Sequence, residues 1–68
     1  MKQKLQAAFP GVGFRFYRRG EKRYLRLTGV TYHLGGTIVC YLRAGWYPDC
    51  YTTSAGGSSR TIRLDKRG

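Results

Sequence analysis

The sequence predicts a mainly β domain, a small half-open antiparallel barrel of five short strands preceded by one helical turn. Three observations lead there. Phe14-Arg15-Phe16-Tyr17 and Tyr24-Leu25-Arg26-Leu27-Thr28 alternate with period two, the spacing that sends successive side chains to opposite faces of a pleated strand. Glycine follows or interrupts such runs at Gly20, Gly29, Gly35-Gly36, Gly45 and Gly56-Gly57, as turns require. The chain has 68 residues, enough for one domain over 1–68 with a single small core.

Taken in order, Lys2 to Phe9 carries helix formers, with Leu5, Ala8 and Phe9 on one side and Lys2, Lys4 and Gln6 on the other. Pro10-Gly11 ends it, so residues 1–10 form a helical turn or an arm. The strongest signal is the stretch from Phe14 to Val30: strand, basic turn, strand. Val12, Phe14, Phe16, Leu25 and Leu27 fall on one face and Arg15, Tyr17, Tyr24, Arg26 and Thr28 on the other. Gly29 then suggests a bulge or bend.

Thr31 to Leu34 leads to Gly35-Gly36, a hairpin turn signal between two apolar runs. The third strand is Thr37 to Arg43, with Ile38, Cys40 and Leu42 facing one way and Val39, Tyr41 and Arg43 the other. Trp46 to Thr52 reads as a fourth strand, placed at an edge by Pro48, which cannot donate to a ladder. Ser54 to Ser59 reads as a flexible polar loop, Thr61 to Leu64 as the last strand, and residues 65–68 as a basic tail.

Five strands in this little chain fit an SH3-like barrel; a five-stranded OB barrel normally takes more residues. The run Phe14-Arg15-Phe16-Tyr17-Arg18-Arg19-Gly20, followed by Tyr24, Gly29-Val30, His33 and Val39-Cys40-Tyr41, also resembles the opening half of small bacterial SH3-like domains of unknown function. The similarity covers residues 14–41 and needs a one-residue insertion before Gly20. It implies the barrel and no activity.

Charge narrows the partner. Thirteen Lys and Arg against three Asp and Glu give a formal net charge of +10, which calls for an acidic partner. Nucleic acid fits best, because neutralising phosphates releases counterions and drives binding without sequence readout. An arginine stands between apolar residues in Phe14-Arg15-Phe16, Leu25-Arg26-Leu27 and Ile62-Arg63-Leu64, with Leu42-Arg43 as a partial fourth. On strands, Arg15, Arg26, Arg43 and Arg63 then form a band opposite the core, interleaved with Tyr17, Tyr24 and Tyr41. Arginine grips phosphate through its planar fork, and tyrosine offers a stacking face. Arg18, Arg19, Lys22 and Arg23 crowd the first turn, where they can sit across phosphates, with Glu21 alone to offset them. The same pattern also describes an ordinary solvent face, since arginine and tyrosine are common on exposed strands.

The expectation is therefore a non-catalytic, mostly electrostatic nucleic-acid-binding module of low sequence specificity. A rival from another class is a small phage- or plasmid-type accessory protein that covers an acidic surface of a partner, anchored by Trp46, Tyr47 and Tyr51. Exposed strand edges would also allow a homodimer.

Other chemistry finds little footing. Cys40, Cys50 and His33 are three soft ligands where a structural zinc takes four, so no metal or other cofactor is expected. A single histidine and three scattered carboxylates match no catalytic signature. Met1 to Phe9 lacks a signal-peptide apolar run, which points to the cytoplasm and to reduced thiols at Cys40 and Cys50.

Overall fold

The computed structural model describes residues 2–65. They form two helices and four strands in the order α1 (Lys2–Ala8), β1 (Gly13–Arg19), β2 (Lys22–Thr28), α2 (Tyr32–Gly45), β3 (Tyr51–Gly56) and β4 (Ser59–Arg63). The strands make one open antiparallel sheet in the order β1-β2-β4-β3. Beyond Asp65, the basic tail expected over 65–68 lies outside the described residues.

The first half follows the alternation. Phe14 opposes Leu27, Phe16 opposes Leu25, and Val12, Phe14, Leu25 and Leu27 are buried. Gly20-Glu21 closes the hairpin as a two-residue loop. Gly20 has φ +65° and Glu21 a negative φ, the arrangement of a type II′ turn with glycine first. Its backbone twist matches that of the flanking strands.

The second half corrects the barrel. Residues 32–45, expected as the end of one strand, a glycine turn and the third strand, are instead the 14-residue helix α2. Gly35, Ile38, Val39 and Leu42 recur at helical spacing and are all buried, and the last three join Leu5, Leu25, Leu27 and Ile62 in one core. Thr31 caps the helix, its hydroxyl accepting from the Leu34 amide at 3.1 Å. Local preference in Thr37-Ile38-Val39 favours a strand, and two glycines weaken a helix by about 1 kcal/mol each. Burying Ile38 and Leu42 completely outweighs this, at about 1.5–3 kcal/mol per side chain.

With α2 in its place, the expected third strand is gone, the expected last strand remains as β4, and the sheet is open with four strands. The expected fourth strand shrinks to its end, because 46–50 form the link out of α2 and β3 starts only at Tyr51. The expected flexible loop at 54–59 is ordered as the end of β3, a two-residue turn and the start of β4. That turn, Gly57-Ser58, again has glycine first, with φ +57°. A register shift at Thr53 in β3 brings Ser54 opposite Thr61 and Ala55 opposite Arg60. Gly29 ends β2 and makes no bulge within it.

Both helices lie on one side of the sheet. Leu5 of α1 is buried in the shared core, and Phe9 just after α1 meets Tyr41 of α2 edge-on at 5.3 Å. The opposite side of the sheet is uncovered, and it carries the arginines and tyrosines.

Candidate nucleic-acid interface

The pairing registers arrange the outer face in rows that run across all four strands. One row is Tyr17, Tyr24, Arg63 and Tyr51, in the order β1, β2, β4, β3. The next is Arg15, Arg26, Thr61 and Ser54. Pleating puts these eight side chains on the face away from Leu25 and Ile62.

Within the first row, the Tyr17 and Tyr24 rings stack with centroids 5.2 Å apart and planes 14° from parallel. Arg63 lies between Tyr24 and Tyr51, its Nη1 donating to the Tyr51 hydroxyl at 3.4 Å, while its buried Nε has no hydrogen-bond partner among the described residues. In the second row two exposed arginines stand directly opposite each other, and like charges so placed repel. Neither Arg15 nor Arg26 has an acidic partner among the described residues. With Tyr17 they line a shallow depression of about 340 Å³. An anion there would relieve the repulsion and meet two forked donors.

Arg19 and Lys22 pair beside the turn and carry the face to the end of the hairpin. A groove of about 700 Å³ runs there between Arg19, Lys22, Tyr24 and Arg63, with Glu21 and Asp65 also on its walls. Arg18 and Arg23, paired with each other, fall on the opposite side of the pleat. Arg23 is also committed: its Nε reaches Asp65 Oδ1 at 2.8 Å, and its backbone amide donates to Asp65 Oδ2. The side-chain hydrogen bond from Arg23 holds the Asp65 carboxyl below its ordinary range, and the same contact raises Arg23.

Tyr41 and Arg43, expected on the same band, are corrected by α2. Tyr41 packs between Phe9 and Trp46, with the Trp46 ring 5.2 Å away, and Arg43 Nε donates to the Cys50 carbonyl at 2.9 Å. Both lie on the helical side, across the sheet from Arg15 and Arg26. The structure thus brings together Arg15, Tyr17, Arg19, Lys22, Tyr24, Arg26 and Arg63, and leaves Arg18, Arg23, Tyr41 and Arg43 elsewhere. It adds Tyr51 to the row, a residue that sequence reasoning had placed among the anchors of a protein interface.

Those other anchors are mostly engaged. Tyr47 packs against the core, and Trp46 contacts Tyr41 and lies under the Lys4 ammonium, 5.8 Å from the ring centroid. Cys40 is exposed on α2 and Cys50 is buried; they are not bridged, and burial pushes the Cys50 thiol up from its ordinary value. Among the described residues no three His, Cys, Asp or Glu side chains come together as a metal site, and no helix is long and apolar enough to cross a membrane. Compared with known protein families, curated proteins and solved structures, the chain matches none.

Proposed function

We propose that the chain is a non-catalytic nucleic-acid-binding module that lays a strand of RNA or DNA across the open face of its sheet. The observation that carries this reading is the Arg15–Arg26 pair: two exposed cations held opposite each other, neither with an acidic partner among the described residues, beside stacked tyrosines. Such an arrangement costs the free protein stability, and a phosphate between the two guanidinium groups offsets that cost. Tyr17, Tyr24 and Tyr51 supply half-buried aromatic surface alongside, suited to bases already unstacked, so single strands are favoured over duplex. Arg19 and Lys22 extend the track for the backbone. Contacts of this kind read phosphate and ring faces and not base edges, so specificity is low.

Backbone amide shifts on titrating an oligonucleotide that carries no terminal phosphate test the assignment. The outer-face reading expects saturable shifts along β1, β2 and β4 with α2 unmoved. Shifts centred on α2, Trp46 and Tyr47 would reject it. Absence of binding by any oligonucleotide at low salt would do the same and would direct attention to an acidic protein partner.

A further inference from the structure

The helical side of the sheet holds a second cationic site built around Arg60, a residue with no part in the outer face. Arg60 is 8% exposed and is the only charged residue among the buried ones described. Buried charges are normally paired, because taking a bare ion out of water is costly. Arg60 has no acidic partner among the described residues. All three acidic side chains, Glu21, Asp49 and Asp65, lie toward the other end of the sheet, where the Gly20-Glu21 turn, the start of β3 and the end of β4 meet. One hydrogen bond, from Nη2 to the Tyr32 carbonyl at 3.2 Å, engages the guanidinium, whose central carbon sits 5.1 Å from the Tyr32 ring centroid. Its other donors make no hydrogen bond to the described residues and are not sealed from solvent.

Two features hold the group in this position. Gly35 makes room for it, since a Cβ there would lie 2.7 Å from Nε and 2.9 Å from Cζ. Arg60 also lines a cavity of about 150 Å³ with Thr31, Tyr32, Gly56, Gly57 and Ser59, at the first turn of α2. That volume equals about five waters at roughly 30 Å³ each, enough for one oxyanion with some hydration. A helix N-terminus carries partial positive charge, so a buried cation beside it is unfavourable when alone, and both attract an anion.

We propose that this cavity binds a phosphate-type oxyanion, with Arg60 as the principal ligand and the first turn of α2 assisting. The chemistry fits either a free phosphate ion or the terminal phosphate of a nucleic acid, and the site lies across the sheet from Arg15 and Arg26. It stands independently of the outer-face reading, and either can fail alone.

Nuclear magnetic resonance on the full chain tests it, with inorganic phosphate titrated against chloride at matched ionic strength. The Arg60 Nε–H signal and the amides of Tyr32, His33 and Gly57 should move saturably, and the phosphate affinity read at these signals should fall at least tenfold in Arg60→Lys and stay the same in Arg26→Glu. A second arm compares a short oligonucleotide carrying a 5′-phosphate with its 5′-hydroxyl counterpart. A preference for the phosphorylated end at these same signals assigns the site to a nucleic-acid terminus; response to inorganic phosphate alone assigns it to the free ion. An Arg60 Nε–H signal in the unaltered protein that ignores both ligands overturns the proposal, whether or not Arg60→Lys folds. Equal phosphate affinity in a folded Arg60→Lys, or shifts confined to Arg15 and Arg26, does so as well.

Discussion

Replacing Arg26 with Glu should make the protein more stable and a poorer nucleic-acid binder at once. Arg26 stands opposite Arg15 across the β1–β2 ladder. A cross-strand pair of opposite charge contributes about 0.2–1 kcal/mol, and a like-charged pair costs a similar amount, so reversing one charge changes stability by about 0.4–2 kcal/mol. Both side chains are exposed, and solvent screening places the expected gain near 0.5–1 kcal/mol. For a domain of this size that is about 2–8 °C in Tm, since 1 kcal/mol corresponds to about 4–8 °C. Thermal unfolding followed by circular dichroism, at low and high salt, reads it directly.

The double variant Arg15→Glu/Arg26→Glu separates the local pair from the general relief of a highly charged chain. If only net charge mattered, the double variant would be more stable still. The cross-strand pair instead places two carboxylates face to face, so the gain should largely disappear. The reasoning is refuted if Arg26→Glu lowers stability at low salt, or if its gain persists unchanged at about 1 M salt, where the screening length is near 3 Å.

Further outcomes follow from the fold and its few carboxylates. Gly36 lies inside α2 with nothing within 4 Å of an added Cβ, so Gly36→Ala should stabilise by about 0.5–1 kcal/mol in a denaturant titration. Gly35→Ala should destabilise, because its Cβ would strike Arg60; if Gly36→Ala also destabilises, the segment is a turn and not a helix. The Asp65 carboxyl is depressed by Arg23, so its contribution to stability is present above the ordinary Asp range and is lost as pH falls through the lower value in the folded protein. Asp65→Asn should remove that part of the acid sensitivity, and an identical pH–stability curve would speak against the ion pair. A thiol reagent should modify exposed Cys40 quickly and buried Cys50 only as the protein opens, giving two well-separated phases; two equally fast thiols would contradict the packing of Cys50.

What the sequence made legible and what it hid have separate physical causes. The β1–β2 hairpin was readable because burial on one face imposes a strict period of two, and Gly20 marks the turn. This is also why five residues of the outer face, Arg15, Tyr17, Tyr24, Arg26 and Arg63, could be named beforehand. Helix α2 was hidden by its own residues: Gly35-Gly36 imitates a turn and Thr37-Ile38-Val39 imitates a strand. Tertiary burial of Ile38, Val39 and Leu42 overrides both. Three signals pointed the other way, namely Thr31 as a cap, apolar spacing through Gly35, Ile38, Val39 and Leu42, and Pro48 shortly after the helix end. Misplacing that segment carried Tyr41 and Arg43 onto the wrong side of the sheet. Arg60 gave no signal in sequence, because its interest depends on burial against Gly35, a contact across 25 positions that no periodicity records.

The most direct test of the outer face is fluorescence anisotropy with labelled single-stranded RNA, single-stranded DNA and duplex DNA, each across a salt titration, for the unaltered chain and Arg26→Glu. Binding should weaken steeply with salt, with a log–log slope of about 0.7 per phosphate contacted on single strands or about 0.9 on duplex. Arg26→Glu should reduce that slope by about one contact while the protein remains folded. An unchanged slope and affinity in a folded Arg26→Glu would contradict the account, because the residue at its centre would then touch no phosphate.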